Sequence, residues 1–272
     1  MTRAVQSARL NGLGIDSNLG QMAVRRHFMN QSLLLRVRIV GSLLCLLSAV
    51  PALAETIEGF VEFHGLVPPQ EKLRRESDKF CAKKLVLDPS VRVNSNRLKD
   101  VWVRITKGAP EQLGGPERTV SIKQTECMYE PHVAAIQAGN RLIIENADPV
   151  LHNVHAYSGA TTLFNRAMPG PGVITIDGST AQATSRWNGV VRWKCDVHGW
   201  MTGFVGVSRN PYFAVSSDNG EFKIENVPPG KYSIAAWHEK FGEKAVDVSV
   251  EPGQTAKAVF YYGQKLTEAG TH

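Results

Sequence analysis

Long apolar runs, helical periodicity and cysteine are all scarce in this sequence, and each shortage closes off a class of protein. The most apolar run, Ile39 to Ala54, has sixteen residues, short of the roughly 20 that a bilayer-spanning helix needs. No phosphate-binding Gly-x4-Gly-Lys loop and no Cys-x2-Cys-His haem attachment occurs, and Lys and Arg form no patch suited to a nucleic acid. Internal repeats and low-complexity linkers are also missing. With a hydrophobic share of 43% and a charged share of 21%, what remains is an ordinary globular chain, long enough for one or two domains with real cores.

Acidic residues are nearly absent from the first 54 positions, which hold Arg3, Arg9, Arg25, Arg26, Arg36 and Arg38 against Asp16 alone. The 31 Lys+Arg and 25 Asp+Glu of the whole chain fall to 25 and 24 once those seven residues are taken out, so the formal charge of +6 belongs almost entirely to this stretch. Arg36 and Arg38 precede the apolar run, which ends in Ala52-Leu53-Ala54. A basic start, an apolar centre and a small-x-small end make a secretory signal peptide. Residues 1–54 are therefore expected to be removed after Ala54, leaving a nearly neutral periplasmic protein with no stable membrane insertion. Arg25-Arg26-His27-Phe28-Met29 resembles a twin-arginine export motif, so Sec and twin-arginine routes both stay open.

Loss of Cys45 with that segment leaves Cys81, Cys127 and Cys195, an odd number in a compartment where thiols oxidise. The simplest division is a Cys81–Cys127 disulfide with Cys195 held by a metal; other pairings and a free buried thiol stay open. The rest of the chain alternates apolar and polar residues with period two, as in Val191, Trp193 and Cys195, in Val246, Val248 and Val250, and in Ala258, Phe260 and Tyr262. Turns at Asp218-Asn219-Gly220, Pro228-Pro229-Gly230 and Pro252-Gly253 punctuate it, with Gly expected to supply positive φ. A short helix is expected only near Pro69 to Lys84. The expected fold class is all-β, in two sandwiches.

Soft donors concentrate at Cys195-Asp196-Val197-His198-Gly199-Trp200-Met201, a Cys-x2-His-x2-Met spacing at a strand end. Thiolate, thioether and imidazole together suit copper, whereas zinc more often recruits several Cys or carboxylates. A second imidazole comes from His152 or His155. Three positions apart on a strand they face opposite sides, so one of them is expected to ligate.

From about Met128 to Val207 the chain resembles a cupredoxin, the blue-copper fold of plastocyanin and amicyanin. Tyr129-Glu130-Pro131, Ala138-Gly139-Asn140 before Arg141-Leu142-Ile143-Ile144, and Asn146 ahead of His152-Asn153 fall in that family's order. The resemblance implies a Greek-key sandwich over 117–209, with copper held by His152, Cys195, His198 and Met201. It further implies that Asn153 ties the ligand loops together, that Trp200 lies beside the imidazole with His155 nearby, and that the ring edge of His198 is the electron exit if it reaches the surface. His132, His155 and Met168 are extra donors that could replace a ligand. Asp218 to Ile234 resembles a carboxypeptidase regulatory-like domain, a transthyretin-type sandwich over 211–263. Strands in 55–110 have the character to complete it, which points to a split domain with the cupredoxin inserted, two consecutive independent domains being the alternative, and 264–272 is read as a tail. The combination resembles exported methylamine-utilisation-like proteins.

These features lead to an exported copper protein that passes single electrons between redox partner proteins, without enzyme chemistry of its own. Copper storage or delivery by the same ligands is one alternative. The other is a metal-free binding module using exposed Trp102, Trp187 or Trp237. The Trp237-His238-Glu239 run is expected to be a surface pair on a strand, and His64, His132, His238 and His272 surface or hydrogen-bonded residues.

Overall fold

The computed structural model describes residues 55–114, 118–177 and 183–263; the expected signal segment and the 264–272 tail lie outside them. Strands dominate the described residues, and the only helices among them are two single 3-10 turns, Cys81–Lys83 and Thr184–Arg186. The helix expected near Pro69 to Lys84 is therefore replaced by an irregular segment ending in the first of these turns. Its local order comes from Asp78, whose carboxylate accepts the N–H groups of Phe80 and Cys81 at 2.8 and 3.0 Å, and from a disulfide joining Cys81 to Cys127.

Strands from 55–107 and 213–263 pair with one another, and strands from 119–208 pair among themselves. In the first group, Glu55–His64 is flanked by antiparallel Glu221–Val227 and by parallel Thr255–Gly263. Gly59 makes that parallel pairing possible, because a Cβ there would lie 1.6 Å from the Ala258 carbonyl oxygen. The facing sheet runs Phe213–Val215, Trp102–Lys107, Gly230–His238, Gly242–Val250. Ile57, Val61, Leu98, Val103, Ile224, Ile234 and Phe260 fill the space between the two sheets. Gly242–Val250 is more exposed than its Val alternation suggests, with Val246 and Val248 only partly covered.

The second group has sheets ordered Thr161–Met168, His152–Ser158, Gly189–Lys194, Thr202–Ser208, Val133–Gln137 and Gly172–Ile176, Arg141–Asn146, Thr119–Thr125, Met128–Glu130. Neighbours distant in sequence give the crossed, Greek-key connectivity of an all-β fold. Ile122, Ile136, Leu142, Ile144, Val154, Val191, Trp193 and Val205 pack its core. Alternation in the sequence thus reports burial well here: Val191, Trp193 and Cys195 are at most 1% exposed.

Turn chemistry holds at Gly220 and Gly253, with φ of +69° and +71°, but not at Gly230, which opens a strand; the left-handed residue nearby is Asn226, φ +58°, at a register shift inside strand Glu221–Val227. An Asn tolerates this region better than most residues with a side chain.

The two sandwiches meet at Trp102. Its ring lies against Gly206, where a Cβ would come within 2.2 Å of it. Beside it Phe204 meets Trp237 edge-on at 5.3 Å, Asn210 Nδ2 donates to the Ile105 carbonyl at 3.1 Å, and His132 pairs with Glu239. His238, expected as a surface or hydrogen-bonded residue, accepts the Lys240 N–H at 3.2 Å and stacks on Phe241, but at 1% exposure it is not part of a surface pair. The reason is that its strand is central in its sheet, so the inward face of that strand lies in the core.

Gly206→Ala is expected to lower stability by about 3 kcal/mol, since neither Trp102 nor the backbone can yield without unpacking the joint; a denaturant midpoint measures it. Burial holds His238 down to about 4, with the neighbouring His132 and Lys240 adding smaller effects. The unfolded ring takes a proton at higher pH than the folded one, so His238 stabilises the fold fully above about pH 6.5 and this contribution falls as pH drops toward 4. The loss is on the order of 3 kcal/mol, and His238→Gln should flatten that part of a stability-against-pH curve.

Candidate metal centre

Strand Gly189–Lys194 ends one residue before Cys195, which continues the inward row of Val191 and Trp193. The chain then closes a tight ring: Met201 N–H donates to the His198 carbonyl at 2.8 Å and Cys195 N–H to the Met201 carbonyl at 3.1 Å. Within it, the His198 N–H points at Cys195 Sγ at 3.4 Å. Across the sheet, His152 opens strand His152–Ser158 with its ring fully buried.

These elements bring His152, Cys195 and His198 together, all buried, with one donor atom from each within 4.8 Å of the others. The two Nδ1 atoms are 2.9 Å apart, and Cys195 Sγ is 3.9 Å from His198 Nδ1. The opposite ring nitrogens are committed elsewhere: His152 Nε2 meets Asp148 Oδ2 at 2.9 Å and His198 Nε2 meets Asp78 Oδ2 at 3.3 Å. A carboxylate only accepts, so each Nε2 carries a proton, and in a neutral ring Nδ1 is then left with a lone pair. Two lone pairs facing each other beside a thiol attract a cation. With zinc's bond lengths as a guide, about 2.0 Å to nitrogen and 2.3 Å to sulfur, donors around one ion lie roughly 3.3–3.8 Å apart, and the observed separations bracket that span. Burial lowers the pKa of His152 and outweighs the opposing pull of Asp148, which keeps the ring neutral. The Cys81 N–H, helped by the bond to His198 and opposed by burial, holds Asp78 below the usual carboxylate range.

Met201 is fully buried in the same core cluster. Asn153 spans the two ligand loops: its Oδ1 accepts the Asp196 N–H at 2.6 Å, and its Nδ2 donates to Asp196 Oδ2 at 2.9 Å and Asn165 Oδ1 at 2.7 Å. Trp200 lies with its ring 5.0 Å from that of His198 and its Nε1 donating to the Cys127 carbonyl. His155 points to the other face, among Asp196, Thr162, Tyr157 and Asn165, away from the cluster. His132 is engaged by Glu239 at the joint. Met168 is buried and stands opposite His152 across the strand pair.

The ring edge of His198 does not reach the surface. At 3% exposure it lies under Asp78 and the disulfide, with Cys81 Sγ 3.8 Å from Nε2. The exposed apolar residues next to the candidate ligands are instead Leu151 and Val197, 44% and 50% exposed. Trp102 and Trp187 are buried, which removes two of the three aromatic contacts expected of a metal-free binding module.

Sequence reasoning missed both carboxylates. Asp148 had a local signal, since Asn146-Ala147-Asp148-Pro149 is a turn motif four residues ahead of His152; it also accepts the N–H groups of Glu126 and Cys127. Asp78 had none, lying 120 residues from its partner. Arg75 was missed as well. It is 3% exposed, donates through Nη2 to the Glu126 carbonyl, and has Nε and Nη1 without a hydrogen-bond partner.

A family model described as polysaccharide lyase family 4, domain II, matches residues 181–258, which straddle the two strand groups. Among curated proteins there is no significant match. Similar solved structures include the purple cupredoxin from Nitrosopumilus maritimus, 22% identical over 32% of this chain and 98% of that one with a TM-score of 0.27. Amicyanin from Paracoccus versutus is 20% identical over 39% and 97% of the two chains, with a TM-score of 0.29.

Proposed function

We propose that this is an exported, periplasmic copper-binding protein that carries single electrons between redox partner proteins, with His152, Cys195 and His198 as ligands and Met201 as a weak fourth. The observation that carries this reading is the pair of buried Nδ1 atoms 2.9 Å apart beside a buried thiol, with both Nε2 atoms already bonded to carboxylates. Thiol, imidazole and thioether donors select copper over hard ions. Copper held there would take up and release one electron at a time.

The chain's own residues do the remaining work. Asp148 and Asp78 fix the orientation and tautomer of the two rings, and this support of ligands by outer partners governs metal affinity. Asn153 locks the Cys195 loop to the His152 strand. Core packing around Trp193 and Val191 keeps Cys195 from moving, so the site need not rearrange between oxidation states. Water is kept out by the irregular segment that carries Asp78 and Cys81. Leu151 and Val197 form the apolar ground on which a partner would approach. Storage or delivery of copper is a second reading, favoured by the further oxygen donors Asp78 and Asp148 against the same rings. Reversible one-electron cycling at constant copper content separates the two.

The mature protein is expected to show an intense visible thiolate-to-Cu(II) absorption on addition of Cu(II). Cys195→Ser should abolish that band, and Met201→Gln should keep copper while shifting its reduction potential; uptake of Cu(II) by the unsubstituted protein without the band would overturn the reading. Asn153→Ala removes the acceptor of the part-buried Asp196 N–H and the donor to Asp196 Oδ2 and Asn165 Oδ1. It is expected to cost about 1–3 kcal/mol of stability and about 10–100-fold in copper affinity, read by thermal unfolding and by chelator competition.

A further inference from the structure

The disulfide lies directly on the outer side of the two histidines. Cys81 groups with Asp78 and His198, and Cys127 groups with Asp148 and His152; in each trio one potential ligand atom per residue lies within 4.8 Å of the others. Cys81 and Cys127 are 1% and 0% exposed. Four separate pieces of chain converge there: the irregular segment, the turn at Glu126 and Cys127, the loop before His152, and the Cys195 loop. Arg75, buried with two guanidinium nitrogens unpartnered, interacts electrostatically with Glu126, Asp148 and Asp78.

We propose that Cys81 and Cys127, once reduced, form a second soft-metal site that takes one Cu(I) on the outer side of the histidines. A dithiol reductant transfers two electrons and two protons: its own disulfide forms, the Cys81–Cys127 S–S bond breaks, and two thiols result. Binding of Cu(I) then displaces both thiol protons to solvent. Two thiolates already side by side, on residues whose Cα atoms are 5.6 Å apart, are the donors that select Cu(I). Arg75 supplies the positive charge that favours thiolates beside two carboxylates. Metal then replaces the S–S bond as the cross-link that holds the irregular segment over His198, so copper capacity rises on reduction without loss of the cover.

The choice of Cu(I) rests on the copper reading above, and the test keeps the two apart. Cu(I) is titrated against a competing chelator, before and after treatment of the folded protein with a phosphine reductant that is then removed, with free thiols counted at each stage. The unsubstituted protein should bind one Cu(I) when oxidised and two when reduced. Cys195→Ser, which keeps the disulfide, should bind none when oxidised and one when reduced. Cys81→Ser with Cys127→Ser should stay at one throughout. A disulfide that resists reduction in the folded protein, unchanged Cu(I) uptake after reduction, or a reduced-protein increment that survives in the double serine variant would overturn the proposal. Oxidised protein that binds none while reduced protein binds one, lost in the double serine variant, would uphold it and overturn the electron-carrier reading.

Discussion

Two imidazole Nδ1 atoms face the same small, water-excluded volume at 2.9 Å, and much of the surrounding polar chemistry keeps them there. Left alone, facing lone pairs repel, and either ring would rotate or take a proton. Rotation is blocked from behind by Asp148 and Asp78. Each of these is itself anchored by two backbone N–H groups, Asp148 by Glu126 and Cys127 and Asp78 by Phe80 and Cys81. The disulfide joins those two anchors covalently. A chain of fixed groups thus runs from an irregular segment through a turn to two carboxylates, and the backbone-anchored carboxylates orient the two candidate ligand rings.

The sandwich beneath the cluster supplies rigidity of a different kind. Cys195 is held by the packing of its own strand, while the joint at Trp102 and Gly206 fixes the strand Thr202–Ser208 that follows the ligand loop. A single absent side chain at Gly206 lets a whole indole ring fill the space between the sandwiches. This places a packing constraint of the joint on the strand directly after Met201, within five residues of a candidate ligand.

Much of the fold was legible because period-two alternation reports burial directly, as at Val191, Trp193 and Cys195. The soft donors were legible because three of them sit within seven residues; register separated the faces of His152 and His155, and only the cupredoxin resemblance chose His152 between them. What escaped were features set by contacts between remote segments. Asp78 reads as an ordinary charged residue until folding lays it on His198, and the segment around it reads as helical because local propensity cannot register a disulfide and a carboxylate cap. His238 reads as part of a surface pair because alternation along a strand identifies two faces without saying which one is covered. Whether the edge of His198 reaches the surface was likewise open in the sequence, since its cover comes from residues that precede the sandwich.

The parallel pairing of Glu55–His64 with Thr255–Gly263 sets an order of events during folding. These partners are separated by 199 residues at the Glu58–Lys257 ion pair, so that sheet cannot close until the last described strand is present. Contacts this distant in sequence form slowly, because loop closure must precede any gain from pairing. Strands between Thr119 and Ser208 find all their partners within that shorter stretch and can assemble earlier. The candidate metal centre would therefore form its inner half first, and its outer cover, which lies on the segment between the early strand and the sandwich, would settle while the flanking sheet is still waiting for its final strand.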